Sequence, residues 1–345
     1  MSDLPTKSNA TLKEIAAQLD ISISTASRAL KDHPRISAYT REKVKRVARE
    51  IGYMSLDMLK GPQKGNSSLI GVIVPKISYH LYAMAISGIE SVAEQYGMHI
   101  VVCQSNESYE REKSLVNELI HTGVNGIIVS LASETRNFSH FEKVKQLGIP
   151  LVFFNRECKE VLTHKVIIDN KRAAYEAVKH LTDIGCKRIA YLGGPELLQI
   201  NRDRVEGYRQ ALAAANITVD PSLVVFSRFD KESMRSAARE LLYTPDYPDG
   251  ILTFSDQIAI NVMLAAKERG IRIPEQLSLI GFNNEPVDDL LEPSLSSIEQ
   301  PGYVMGQESA KLLLQPASDL KSTYEKKILK SYLVIRNSTN KNRAA

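Results

Sequence analysis

The chain has 345 residues, of which 43% are hydrophobic and 24% are charged, and its formal net charge is +4 at pH 7. This length exceeds one ordinary compact domain and the composition is that of a globular protein, so we expect two or three domains. No apolar run approaches the roughly 18 residues of a membrane span, and the first residues lack the pattern of a secretory signal. The cysteines, Cys103, Cys158 and Cys186, are odd in number and widely spaced, which favours reduced thiols and a cytoplasmic location.

The positive charge is concentrated near the N-terminus. Residues 1–64 carry a net charge of +5, whereas the rest of the chain carries −1. A small basic module attached to a nearly neutral body is typical of a protein that binds a polyanion. A solvated basic helix would show the same imbalance, so charge alone leaves both interpretations open.

The N-terminal segment predicts three short helices around one small core. Thr11 and Glu14 have capping-box spacing, and Ser22 and Ser37 are placed to cap the second and third helices. The apolar positions recur at helical spacing: Leu12, Ile15, Ala16 and Leu19, then Ala26, Ala29 and Leu30, then Val44, Val47, Ala48 and Ile51, with Gly52 ending the third helix. The second helix turns Ile23, Ser24, Ser27, Arg28 and Lys31 outward. This geometry fits either a plain three-helix bundle or a helix-turn-helix that enters the DNA major groove.

Residues 10–16 (ATLKEIA) and 22–30 (SISTASRAL) resemble the headpiece of the LacI/GalR family of transcription regulators. The resemblance implies base readout by Ile23, Ser24 and Arg28, phosphate contacts by Ser22, Thr25 and Ser27, and a place for Thr11 in the same DNA-binding surface. Arg forms a bidentate pair with guanine, and an exposed Ile suits a thymine methyl group. Because one headpiece makes too few contacts for specific affinity, we expect a homodimer on a pseudopalindromic operator of double-stranded DNA.

The segment after the headpiece predicts a shortened hinge. In many of the relatives a short helix here wedges a leucine into the minor groove. Gly61 and Pro62 end any helix by Lys60, so a wedge would be Leu56 or Leu59. A plain flexible tether explains the same residues, and both interpretations remain open.

From residue 69 onward, short apolar runs alternate with amphipathic segments, which predicts a repeated strand-helix unit. Gly97, Gly123, Gly148 and Gly185 each follow a predicted helix and precede a predicted strand, as helix-ending glycines do. Continuous apolar strands are typical of parallel sheets covered on both faces. We therefore expect a small all-α domain followed by α/β structure, with two doubly wound parallel-sheet subdomains and a cleft between them.

The body also resembles the periplasmic-binding-protein type I core of the same family, through residues 166–170 (VIIDN), 204–208 (RVEGY), 254–256 (FSD) and 278–284 (SLIGFNN). This resemblance implies three crossings between the subdomains, which we place near Asp169, Ser297 and Lys326. The expected domains are a headpiece over 1–54, a hinge over 55–68, a core over 69–337 and a polar tail over 338–345. The first subdomain takes 69–168 and 298–325, and the second takes 169–297 and 326–337.

The usual catalytic signatures are missing from the sequence. It has no nucleotide-binding glycine loop, no nucleophile elbow and no zincin motif, and its seven histidines lack metal-ligand spacing. We interpret His80, His121 and His164 as surface or loop residues, and we expect no enzyme, cofactor or metal site. The alternatives are a stand-alone solute-binding protein, disfavoured by the missing signal sequence, and a sugar-processing enzyme, disfavoured by the missing catalytic groups.

The resemblance implies that a small-molecule effector binds between the subdomains, at the carboxyl ends of strands. The matching positions are Leu81, Tyr82, Asn155, Leu198, Ile200, Arg204, Phe229, Asp256 and Asn283. The guanidinium group of Arg204 suits ligand oxygens, although a surface salt bridge to Asp203 or Glu206 would also explain it. Sugar-binding relatives usually have Asp where Asn283 stands, which disfavours a simple hexose and leaves a carbohydrate derivative. The predicted function is ligand-responsive transcription regulation, as a repressor.

Overall fold

The computed structural model describes residues 11–30, 33, 35–50, 68–315 and 324–340, with the backbone alone at 49 and 50. The headpiece consists of α1 (Leu12–Gln18), α2 (Ile23–Leu30) and α3 (Ala38–Glu50). Both bonds of the predicted capping box form, because Thr11 Oγ1 accepts the Glu14 N–H at 3.4 Å and the Glu14 carboxylate accepts the Thr11 N–H at 2.8 Å. The buried residues are those of the predicted helical faces: Ile15, Ala16, Ala26, Ala29, Val44, Val47 and Ala48. The predicted hinge residues Leu56 and Leu59 and the predicted helix end at Gly52 lie outside the described residues.

The described part of the core contains two six-stranded sheets. Their strands are β1 (Leu69–Val74), β2 (His99–Gln104), β3 (Gly126–Val129), β4 (Leu151–Phe154), β5 (His164–Ile168), β6 (Ile189–Gly193), β7 (Val224–Phe226), β8 (Gly250–Thr253), β9 (Ser278–Asn283), β10 (Ser296–Glu299), β11 (Lys326–Leu329) and β12 (Tyr332–Val334). The first sheet has the order β11-β5-β4-β3-β1-β2, and the second has the order β12-β10-β9-β8-β6-β7. All pairs are parallel except β10 with β12. The predicted α/β architecture with two doubly wound subdomains is confirmed.

Helices connect the strands of each subdomain. They are α4 (His80–Gln95), α5 (Tyr109–Thr122), α6 (Ser139–Gln146), α7 (Asn170–Asp183), α8 (Gln199–Ala214), α9 (Lys231–Leu242), α10 (Asp256–Arg269) and α11 (Gly302–Leu314). The closest helix pair in each subdomain meets at a glycine. A Cβ atom added at Gly306 of α11 would lie 2.0 Å from the Ala85 carbonyl oxygen of α4, and one at Gly207 of α8 would lie 2.0 Å from the Lys171 carbonyl oxygen of α7. These two contacts therefore require glycine.

The chain passes between the subdomains at three places, two of which differ from the expected positions. The first lies at Asp169, as expected, since β5 belongs to the first sheet and β6 to the second. The second follows Glu299 rather than Ser297, because all of β10 pairs with β9 of the second sheet. The third follows Leu329 rather than Lys326, because β11 pairs with β5 of the first sheet and Lys327 forms an ion pair with Glu308 of α11.

Two further expectations are wrong. The polar tail cannot begin at residue 338, because Ser338 is fully buried, donates to the Leu279 carbonyl oxygen at 2.6 Å and accepts the Ser296 N–H at 2.8 Å. His164 is a buried strand residue rather than a surface or loop residue, and its Nδ1 accepts the Glu325 N–H at 3.1 Å. Burial lowers the pKa of His164.

Candidate functional site

The exposed face of α2 carries the predicted DNA-binding residues. Ile23 is 49% exposed, and Arg28 is exposed and forms no ion pair with any described residue. Ser22 caps the helix, since its Oγ accepts the Thr25 N–H at 3.1 Å and bonds the hydroxyl groups of Ser24 and Thr25 at 2.9 and 2.8 Å. An uncovered apolar side chain and an unpaired guanidinium on one helix face suit the edges of base pairs.

A cavity lies between the two subdomains of the core. Seven of the nine predicted effector positions line it: Leu81, Tyr82, Asn155, Ile200, Arg204, Phe229 and Asn283. Leu198 instead lines an adjoining cavity, which shares Asn155, Arg156 and Ile200 with the first. The strand ends of both sheets therefore converge on one cleft, as parallel topology requires.

Arg204 is a buried cation within the cavity wall. It is 2% exposed, and its Nε and Nη1 donate to Asn170 Oδ1 at 2.9 Å and to the Phe254 carbonyl oxygen at 2.7 Å. Its guanidinium lies 3.3 Å from the centroid of the Phe282 ring. No described carboxylate lies within ion-pair distance of it, and burial lowers its pKa to about 10.

The surface salt bridge considered for Arg204 is excluded by the partners of the two acids. Glu206 pairs with Lys171 at 3.6 Å, and Asp203 accepts a hydrogen bond from Gln199 at 2.8 Å. Arg204 itself lies on the buried face of α8. A buried guanidinium without a carboxylate is costly unless a ligand or another acceptor compensates for it.

Asn155 follows β4 and is held in place by Tyr82. Its φ of 57° lies in the left-handed region, which Asn adopts more readily than most residues. The Tyr82 hydroxyl accepts hydrogen bonds from Asn155 Nδ2 and Ser130 Oγ, both at 3.1 Å. Asn155 Oδ1 is buried and has no hydrogen-bond partner among the described residues. This oxygen is therefore available to a ligand that donates a hydrogen bond.

Sequence reasoning missed Arg156, the residue next to Asn155. Arg156 is 5% exposed, lines both cavities and forms a bidentate pair with Glu107 at 2.7 and 3.0 Å. It also donates to the Leu131 carbonyl oxygen at 3.0 Å and lies 5.3 Å from the Phe229 ring, which belongs to the other subdomain. Arg156 therefore links the two walls of the cleft, although its charge is already neutralised by Glu107.

The end of the cavity near β9 is rich in amide and carboxyl groups. Gln300 Nε2 donates to Asn283 Oδ1 at 2.7 Å, and Gln300 Oε1 is buried without a partner among the described residues. Glu285 lines the same cavity two residues after Asn283. Burial and the nearby Asp256 raise the pKa of Glu285 to about 7.

Asp256 does not line the cavity, contrary to expectation. It is fully buried, and its carboxylate accepts hydrogen bonds from Ser297 Oγ at 2.6 Å and from the Glu285 N–H at 3.1 Å. Burial raises the pKa of Asp256 to about 6, and burial together with Asp256 raises the pKa of Asp288 to about 8. Burial and the neighbouring carboxylate therefore both favour the protonated form of Asp288 at neutral pH.

Comparison with known proteins decides the family. The family described as bacterial regulatory proteins, lacI family, matches residues 11–55, and a periplasmic binding protein-like domain matches residues 178–339. The HTH-type transcriptional repressor CytR of Escherichia coli (strain K12) is 33% identical over 330 residues, covering 96% of this chain and 96% of CytR. The chain belongs to the LacI family.

Other similarities agree with this membership. The ribose operon repressor of Halalkalibacterium halodurans is 31% identical over 336 residues, covering 95% of this chain and 97% of that repressor. A solved complex of the transcriptional regulator CelR with cellobiose has a TM-score of 0.73 at 27% identity and covers 96% of this chain and 100% of its own. The lac repressor dimer bound to operator and the anti-inducer ONPF has a TM-score of 0.70 at 25% identity, over 96% of this chain and 99% of its own. This LacI-family protein is a ligand-responsive, DNA-binding transcriptional repressor and not an enzyme.

The structure of the repressor adds cavity residues that no sequence pattern indicated. They are Tyr79, Arg156, Met234, Phe254, Ser255, Gln257, Glu285 and Gln300. Several of these residues are next to a predicted position. The rule that strand ends face the cleft, extended to the two or three residues after each strand, would have found those neighbours. No group of three or more His, Cys, Asp or Glu side chains in the described ranges is placed to hold a metal ion, and none of the helices described there could span a membrane.

Proposed function

We propose that this LacI-family repressor binds a pseudopalindromic operator as a cytoplasmic homodimer and that a small carbohydrate-related metabolite in the cleft controls DNA binding. One observation carries the proposal for the cleft. Buried polar atoms without partners, on Asn155 and Gln300, line the same cavity as a buried Arg204 that has no carboxylate. Such atoms are costly in an empty site and are compensated when a polar ligand binds.

The DNA-binding part of the proposal rests on α2. Arg28 and Ile23 project from a helix whose other face is buried, and Ser22, Ser24 and Thr25 crowd its N-terminus, where phosphate oxygens are favoured. Thr11 and Ser27 complete the proposed surface. A homodimer presents two such helices to two half-sites. The similar lac repressor structure is likewise a dimer bound to operator.

The proposed control is a linkage between two sites. A ligand that binds the closed cleft more tightly than the open cleft shifts the population toward closure. If closure alters the separation of the paired headpieces, operator affinity changes by the same coupling free energy. The effector is proposed to be related to carbohydrates because the similar CelR structure contains cellobiose, and Arg204 and Asn283 are proposed to contact it.

The proposed division of the chain follows from these parts. The headpiece takes residues 1–54, the linker 55–68 and the effector-binding core begins at residue 69. The first subdomain then ends at residue 168 and regains the segment from Gln300 to Leu329, while the second takes the rest of the core to Asn340.

The experiment that tests operator recognition is Arg28→Ala in a binding assay on the DNA upstream of the protein's own coding sequence. We expect Arg28→Ala to weaken operator binding by about 1 to 3 kcal/mol. The difference between the variant and the unaltered protein should disappear when the base pair that Arg28 contacts is changed, because a bidentate Arg contact reads one guanine. The matched control is Arg35→Ala, another exposed arginine of the headpiece, outside α2. An equal loss on all DNA sequences would assign Arg28 to a phosphate, and no specific binding by the unaltered protein would refute the proposed function.

A further inference from the structure

The cavity end that contains Glu285 and Gln300 has acceptor oxygens for which the described residues supply no donor. Gln300 is 6% exposed, its amide nitrogen is taken by Asn283, and its Oε1 has no partner among the described residues. Glu285 forms no ion pair with any basic side chain in the described ranges. Asn155 lines the same cavity from the first subdomain, and its buried Oδ1 also has no hydrogen-bond partner among the described residues.

Negative charge is in excess behind these acceptors. The Glu285 N–H donates to Asp256, and Asp256 adjoins Asp288, whose two carboxyl oxygens are buried without an assigned hydrogen bond. Arg336 acts on Asp288 but is committed elsewhere, since it bonds Asn284 Oδ1 at 2.7 Å and pairs with Asp289. Burial, and after it Asp256, raises the pKa of Glu285 to about 7, in agreement with the lack of a basic partner among the described residues.

Arg156 and Arg204, the described cations of the cleft, do not compensate the negative charge of Glu285. Arg156 is committed to both carboxylate oxygens of Glu107. Arg204 lies over the Phe282 ring and donates to Asn170 and Phe254. The opposite side chain from the first subdomain is Tyr79, a neutral phenol whose pKa is raised to about 12 by burial and by Glu107. No described side chain therefore brings positive charge to Glu285, and the ligand is left to supply it.

We propose that the effector is a polar ring compound with a protonated amino group, which binds Glu285 and Gln300 while the ring packs on Phe229 and Phe254. An ammonium group has three donors and no acceptor, which matches a carboxylate and an amide oxygen that accept and have nothing to donate. Phe229 and Phe254 line the cavity with ring centroids 5.4 Å apart and supply the apolar surface. A hydroxyl group would satisfy one acceptor and leave the half-buried negative charge of Glu285 without a cation. This inference rests on the proposed effector cleft.

The test compares ring compounds that differ only in the donor group. Benzylamine is paired with benzyl alcohol, and cyclohexylamine with cyclohexanol, and the affinity of the full-length protein for each is measured by ligand-observed NMR titration. We expect each amine to bind about tenfold more tightly than its alcohol, because a charge-assisted hydrogen bond is worth about 1.4 kcal/mol more than a neutral one. Affinity for the amines should rise severalfold between pH 6 and pH 8 as Glu285 loses its proton, while the amines stay charged.

Glu285→Gln removes the charge and keeps the shape, so it should abolish both the amine preference and the pH dependence. The matched control is Glu232→Gln, an exposed carboxylate of α9 in the same subdomain, which should change neither. Equal affinity for amine and alcohol, an unchanged preference in Glu285→Gln, or no binding of either amine at millimolar concentration would overturn the inference. Operator binding of the same samples is measured in parallel, since its presence upholds the repressor function even when the amine preference fails.

Discussion

The two walls of the cleft are built alike, from loops that follow parallel strands, yet they treat buried charge differently. The first wall carries Arg156, whose guanidinium is held by both carboxylate oxygens of Glu107. Glu107 and Asn106 have φ values of 64° and 54°, in the left-handed region that non-glycine residues enter at a cost. The Glu107 carboxylate also accepts the Ser133 N–H at 2.7 Å, so the strained loop is fixed by internal bonds.

The second wall leaves its charges without opposite partners. Arg204 contacts aromatic rings and neutral oxygens, whereas Glu285 and the pair Asp256 and Asp288 lack a basic partner within the described residues, apart from the distant influence of Arg336 on Asp288. A buried ion pair is costly to break, and a buried charge without a partner is costly until a ligand binds. We infer from the difference that the first wall is a preformed support and propose that the second wall selects the ligand.

The largest expected effect comes from breaking the compensation in the first wall. Glu107→Ala should lower the free energy of unfolding by about 3 to 5 kcal/mol, because it leaves the buried Arg156 charge unpaired. Urea denaturation followed by circular dichroism measures the change. Glu110→Ala, which removes an exposed carboxylate three residues further along the chain, should have little effect. A loss below about 1 kcal/mol for Glu107→Ala would mean that Arg156 is solvated, and the two walls would then not differ in this respect.

A smaller effect is expected from the carboxyl pair behind the second wall. The folded protein keeps a proton on Asp288 up to about pH 8, whereas an unfolded aspartate ionises near pH 4, so this group makes stability fall as the pH rises between those values. Asp288→Asn cannot ionise and should not show that fall. Relative to the variant, the unaltered protein should lose up to about 1.4 kcal/mol of unfolding free energy per pH unit between those values, measured by urea unfolding at a series of pH values. Glu240→Gln, at an exposed carboxylate of α9, is the control, and parallel pH profiles for Asp288→Asn and the unaltered protein would refute the raised pKa of Asp288.

The sequence predicted some cavity residues of each wall and missed others. Asn155, Arg204 and Asn283 were predicted because each follows a recognisable strand or starts a motif that resembles the family. Arg156 was missed because its role depends on Glu107, 49 residues earlier, and no local periodicity reports such a pair. Gln300 was missed because it lies at a crossing between subdomains, which was placed two residues too early.

The fold was predicted more fully than the site because helix ends and apolar strands are local signals. Gly97, Gly123, Gly148 and Gly185 all have positive φ, as the predicted helix ends require. The strand Lys326–Leu329 was misassigned because half of its side chains are exposed and its sheet is chosen by pairing with a strand about 160 residues away. Whether a buried charge has an opposite partner also depends on residues that are far apart in sequence. The difference between the two walls could therefore be seen only in the structure.

The smallest expected effect concerns the contact that joins the two walls. The guanidinium of Arg156 lies 5.3 Å from the Phe229 ring centroid, and cation–π contacts of this kind are worth about 0.5 to 1 kcal/mol. In a double-mutant cycle of Arg156→Lys with Phe229→Leu, unfolding free energies should show a coupling of that size, because the planar guanidinium stacks on a ring more favourably than an ammonium does. The control cycle replaces Phe229→Leu by Phe226→Leu, whose ring contacts Tyr191 within the second subdomain and should be additive with Arg156→Lys. Additivity in both cycles would mean that the walls do not touch in the ligand-free protein, and closure of the cleft would then depend on the ligand alone.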